Sequence, residues 1–168
     1  KANLTDQAIS YYTDYIQKGG EEVKIADYFS LGQTYYIAAS AFLPQDNTPL
    51  SEADSLKMMP YALAADSLFG YVAERVPDSY MGNFWRASTN SVIDHLSTAG
   101  LAKPYYEKAI ELIDPEKNPK QLLEAYRYMA YYYYLQEDRD NSLKYCDLIL
   151  GMAPDDAMAT AISSNLRQ

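Results

Sequence analysis

Residues 126–154 read YRYMAYYYYLQEDRDNSLKYCDLILGMAP. Within them Tyr126, Met129, Ala130 and Tyr133 recur at the spacing that puts side chains on one stripe of an α-helix. The polar run Gln136-Glu137-Asp138 breaks that helix. Ser142, Cys146 and Ile149 then form a second helical stripe, which closes at Pro154. A small residue on each stripe lets the paired helix approach closely, and a large aromatic or aliphatic one fills the space beside it. Two helices of this kind cannot bury both of their faces alone, so the segment calls for neighbours of the same design.

Those neighbours are present. Tyr28, Leu31, Gly32 and Tyr35 repeat the first stripe, and Ala65, Phe69, Val72 and Pro77 repeat the second. Between the two halves of that copy lies extra chain at 36–60. A middle copy places Trp85 at the opening aromatic, Ser88-Thr89 at the large–small pair and Val92 at the closing position. Ala102, Tyr106, Ala109 and Pro115 complete it, one residue late. Ala8, Tyr12 and Tyr15, ending at Gly20, make a half copy ahead of these.

Taken together, these intervals resemble the tetratricopeptide repeat (TPR) family. The expected organisation is one domain over 1–168: a half repeat at 5–20, a repeat at 25–77 with an insertion at 36–60, repeats at 82–115 and 123–154, and a capping helix at 156–166. Helices are predicted over about 5–18, 25–43, 51–75, 79–96, 101–113, 119–136, 140–152 and 156–166, with Pro60 starting or kinking a new piece and a loop at 44–49. No Val/Ile/Thr-rich alternating segment competes, so the fold class is all-α, an α-α superhelix.

Composition narrows the chemistry. Fourteen Lys and Arg against 23 Asp and Glu give a net charge of −9, a field that repels nucleic-acid phosphates and anionic headgroups. The single Cys146 and single His95 exclude an internal disulfide and sites built on several Cys or His ligands. His95 reads as a solvated or capping residue near a helix end, and Cys146 as a buried thiol. Glu137-Asp138-Arg139-Asp140 begins like a calcium loop but lacks its Gly, and Ile149 stands where the bidentate Glu is required, so it reads as an interhelical turn. No metal, cofactor or catalytic unit is expected, and no apolar run is long enough to span a bilayer. Lys1 in place of Met suggests that a leading part, with any export signal, has been removed.

The repeat residues are core, so function is expected on a stripe rotated about 100° from them. It consists of Phe29, Gln33 and Tyr36, then Arg86, Asn90 and Ile93, then Arg127, Tyr131 and Tyr134. The family resemblance implies that the first helices line a concave groove for a partner protein segment. Arg86 and Arg127 would supply charge and the aromatic residues apolar contact. Some family members hold a carboxylate with a basic residue and an Asn at the spacing of Arg86 and Asn90. Here Glu124 and Tyr128 stand at the other basic positions of that clamp, so it is incomplete. The alternative is glycan binding at a bacterial cell surface, with tyrosines stacked on sugar rings. The Tyr-rich acidic repeats and the stretch at 100–108 resemble exported bacterial TPR proteins, which implies a periplasmic setting.

Overall fold

The computed structural model of the protein describes residues 2–46 and 48–168; Lys1 and Asn47, the latter inside the loop expected at 44–49, lie outside them. The described residues form eight α-helices and no strand: α1 (Ala2–Lys18), α2 (Ile25–Ser40), α3 (Glu52–Arg75), α4 (Tyr80–Ile93), α5 (Lys103–Leu112), α6 (Pro119–Leu135), α7 (Arg139–Met152) and α8 (Ala157–Leu166). A single 3-10 turn, Gly20–Glu22, joins α1 to α2. Gly20 takes φ +52°, the left-handed conformation that ends a helix.

Local chemistry sets the boundaries. Ser51, Asp138 and Asp156 each accept a backbone N–H of the first turn of α3, α7 and α8 through their side chains. Pro119 opens α6, where its missing N–H costs nothing. Two expectations need correction. Pro60 neither starts nor divides a helix, since α3 runs unbroken from Glu52 to Arg75. Pro60 and Leu56, whose carbonyl loses its donor, are both solvent-exposed, while Met58, Ala62 and Ala65 hold the helix down on its buried side. Helix α4 stops at Ile93 instead of about 96, because the Asp94 carboxylate accepts the N–H groups of Thr98, Ala99 and Gly100 at 3.1, 3.0 and 2.8 Å.

Packing runs between first and second neighbours along the chain: each helix lies against the next, with α2 also touching α4 and α6 touching α8. Core clusters follow one another in the same order. The first joins Ala39, Met58, Ala62 and Val92; the second runs from Phe84 and Ala87 through Tyr106 to Met129; the third joins Ala130, Cys146, Ile149 and Ala159. Alanines provide the closest approaches, and ring contacts fill the rest. From Phe29 through Trp85, Phe84, Tyr106, Tyr128, Tyr132 and Tyr133 to Tyr145, successive ring centroids lie 4.9–6.5 Å apart.

The motif aromatics Tyr28, Tyr35, Trp85, Tyr126 and Tyr133 are half-buried, and the residues between them lie deeper. Leu31, Gly32, Phe69, Met129 and Ala130 are buried, and a Cβ on Gly32 would stand 2.8 Å from the Phe69 ring. Ser88 and Thr89 of the middle copy are buried too, their hydroxyls donating to Phe84 and Trp85 carbonyls one turn back at 3.1 and 2.8 Å. Ser142 donates across the α6–α7 contact to the Ala130 carbonyl at 3.0 Å. The extra chain at 36–60 becomes the last turn of α2, a loop and the first two turns of α3.

Candidate functional site

Helices α2, α4 and α6 carry the rotated stripe, and all of its side chains are half-buried or exposed. The structure nonetheless uses several of them internally. Phe29 and Tyr36 meet the Trp85 ring edge-on at 5.9 and 5.2 Å. Burial pushes the Tyr36 hydroxyl above its ordinary value. Tyr134 and Ile93 pack against the third and first core clusters.

The arginines are paired. The Arg86 guanidinium donates from Nε and Nη2 to the two Asp66 oxygens, both at 3.1 Å, and from Nη2 to the Tyr105 hydroxyl at 3.1 Å. It also lies over the Tyr105 ring, 4.2 Å from its centroid. Asn90 Nδ2 donates to the same Asp66 carboxylate at 2.7 Å and to the Arg86 carbonyl at 2.9 Å. The Arg–Asn pair that could grip a ligand carboxylate is thus filled by a carboxylate of the chain itself, tying α3, α4 and α5 together. Arg127 Nε donates to Asp156 Oδ2 at 2.7 Å, linking α6 to the start of α8. Asp156 is only 3% exposed there, whereas Arg127 keeps 47% of its side chain in solvent. Burial pushes the Asp156 carboxyl up, but the Ala159 N–H and the Arg127 guanidinium outweigh it and hold the group below the usual carboxylate range.

What stays open on this face is Tyr131, 39% exposed, the outer part of Arg127, and Glu124. The Tyr106 hydroxyl donates to Glu124 Oε1 at 3.5 Å, and protein atoms that exclude water on one side raise the Glu124 carboxyl pKa.

The remaining candidates take structural roles. His95 Nε2 donates to the Thr48 carbonyl at 3.0 Å and fixes the 48–50 loop. Cys146 is fully buried, and burial pushes its thiol up, away from the nucleophilic thiolate. Asp138 caps α7 through the Asn141 N–H. Among the described residues no group of three or more His, Cys, Asp or Glu could hold a metal ion, and no helix is long and apolar enough to cross a membrane.

One feature had no sequence signal. The start of α1, the end of α2 and Tyr61 of α3 line a solvent-open apolar cavity of about 590 Å³. Its walls include Leu4, Asp6, Ile37, Ala41, Phe42 and Tyr61. Ile37 lies one turn past Gln33 on the same side of α2, so the cavity opens beside the stripe.

No protein-family model matches the sequence, and no curated protein does. Among solved structures, the crystal structure of the C-terminal part of a TPR repeat-containing protein from Cytophaga hutchinsonii matches with a TM-score of 0.58 and 27% identity, over 92% of this chain and 65% of that one. The chain has a TPR-like fold. Its α2–α3, α4–α5 and α6–α7 pairs are then TPR-like hairpins stacked into an α-α superhelix.

Proposed function

We propose that the protein is a non-catalytic scaffold that holds a segment of a partner protein along the face made by α2, α4 and α6. The reading rests on one contrast. On the same three helices the inner pairs of the motif stripe, Leu31-Gly32, Ser88-Thr89 and Met129-Ala130, are buried, while no residue of the stripe about 100° away, Phe29, Gln33, Tyr36, Arg86, Asn90, Arg127, Tyr131 and Tyr134, is. Phe29, Tyr36, Arg86 and Asn90 shape the floor, since their rings and polar groups are engaged by Trp85 and Asp66. Tyr131 and the open side of Arg127 make the first contacts. A polypeptide is favoured over nucleic acid by the net charge of −9, and no cofactor is required. An exported bacterial setting accords with the Tyr-rich, acidic repeats.

The test is site-specific photocrosslinking in the native host. A photoreactive residue at Tyr131 should capture a partner that the same residue at Lys108, exposed on α5, does not. Equal capture at both positions, or capture at Lys108 alone, overturns the groove assignment. Glycan binding would instead appear as no protein adduct together with saturable binding of oligosaccharides.

A further inference from the structure

The α1–α2–α3 cavity is unassigned by anything above, and its chemistry is specific. At about 590 Å³ it exceeds the space needed by one side chain and falls in the range of ligand sites. Ala38 and Ala41 create the hollow, and Leu4 and Ile37 stand at its rim 72% and 60% exposed, apolar surface that no part of the described chain covers. Among the described residues Asp6 is the only charged one in the wall, and no Lys or Arg lines it. The Tyr61 hydroxyl donates to Asp6 Oδ1 at 3.2 Å, which orients the carboxylate while leaving it further acceptor sites. The Tyr61 ring stacks on Phe42 with centroids 6.2 Å apart and 23° between planes, offering aromatic surface next to that charge. An anionic occupant would meet Asp6 and the field of a chain carrying net −9. A cation beside apolar groups meets a carboxylate and ring faces.

We propose that this cavity anchors a basic amphipathic helical segment of the partner protein, two apolar side chains one turn apart entering between α1 and α2 and a neighbouring Lys or Arg meeting Asp6 and Tyr61. This rests on the reading of the chain as a partner-binding module and names the chemistry of that partner. Because Ile37 continues the Gln33 side of α2, a segment lying on the stripe runs directly into the cavity. The insertion at 36–60 thereby gains a role: Ile37, Ala38, Ala41 and Phe42 all belong to it.

The probes are three short acetylated, amidated helical peptides with two leucines one turn apart, flanked by Lys, by Gln or by Glu, titrated against the 168-residue chain by fluorescence anisotropy. The Lys peptide should bind about tenfold more tightly than the Gln peptide, the sum of a partly exposed ion pair and a cation–ring contact, and the Glu peptide should bind weakest. Asp6→Asn should remove the Lys preference and keep leucine-dependent binding. Ile37→Asp, a change at an exposed position that leaves the helical circular dichroism intact, should abolish binding of all three. Equal affinity for the three peptides, a Lys preference that survives Asp6→Asn, or no binding at all overturns the proposal. Binding that is lost on Tyr131→Ala and retained in Ile37→Asp overturns the cavity assignment and leaves the groove reading standing.

Discussion

Replacing Asp156 with Ala tests how the last helix is held, and the structure sets the size of the effect. Two interactions vanish together. The carboxylate caps α8 by accepting the Ala159 N–H at 2.9 Å, and it receives Arg127 Nε at 2.7 Å in a site where it is 3% exposed. A lost cap costs about 1 kcal/mol and a charge-assisted bond about 1.5–3 kcal/mol, the lower end applying because Arg127 is half in solvent. The total for Asp156→Ala is roughly 2–3 kcal/mol of unfolding free energy in urea denaturation followed by circular dichroism. Asp156→Asn keeps an acceptor for the cap and should lose about half of that. The pH dependence has a definite sign. The Asp156 carboxyl is held below its ordinary value of 3.8 in the folded protein, so its contribution is complete above that value and is lost as pH falls through the lower folded one. The gap between wild type and Asp156→Ala should therefore close in acid. Because α8 spans only Ala157–Leu166, too short to persist alone, hydrogen exchange in the variant should accelerate first in that helix. A loss under about 0.5 kcal/mol, or a gap that is constant with pH, would refute this account of the α6–α8 junction.

Two further outcomes follow from packing. A Cβ on Gly82 would stand 2.6 Å from the backbone N and Cα of Ala73, so Gly82→Ala must push α4 away from α3; a net loss of roughly 1–3 kcal/mol in the same denaturation is expected despite the better helix propensity of alanine, and a stabilised variant would contradict it. Cys146 should resist aromatic disulfide reagents in the folded state and react at the rate of unfolding, since burial both shields the thiol and raises its pKa; fast stoichiometric labelling of native protein would contradict that.

The repeat frame was legible because its information is local. Tyr28, Leu31, Gly32 and Tyr35 sit within eight residues of one another, and helical spacing alone puts them on one stripe. The helix ends at Gly20 and Pro119 were legible for the same reason, each marked by a residue with its own backbone restriction. Continuity of α3 through Pro60 was not, because it depends on whether the carbonyl of Leu56 faces water or protein. The pairing of Arg86 with Asp66 and of Arg127 with Asp156 was equally hidden. Those partners lie 20 and 29 positions apart and meet only through the stacking of separate hairpins. The spacing therefore put the candidate residues on one helical stripe but said nothing about which of its charges were already neutralised. The cavity at Asp6, Ile37 and Tyr61 draws on three helices at once and has no counterpart in any local pattern.

The unbroken file of rings from Phe29 to Tyr145 has an optical consequence. Trp85 is the sole indole among 18 tyrosines, several of them within a few ångströms of the next ring. Ultraviolet light absorbed by tyrosines this near one another and near Trp85 should pass through space to that one indole in α4. Phenolic emission should rise when the hairpins separate, so the colour of the glow from this chain would report whether they are still stacked.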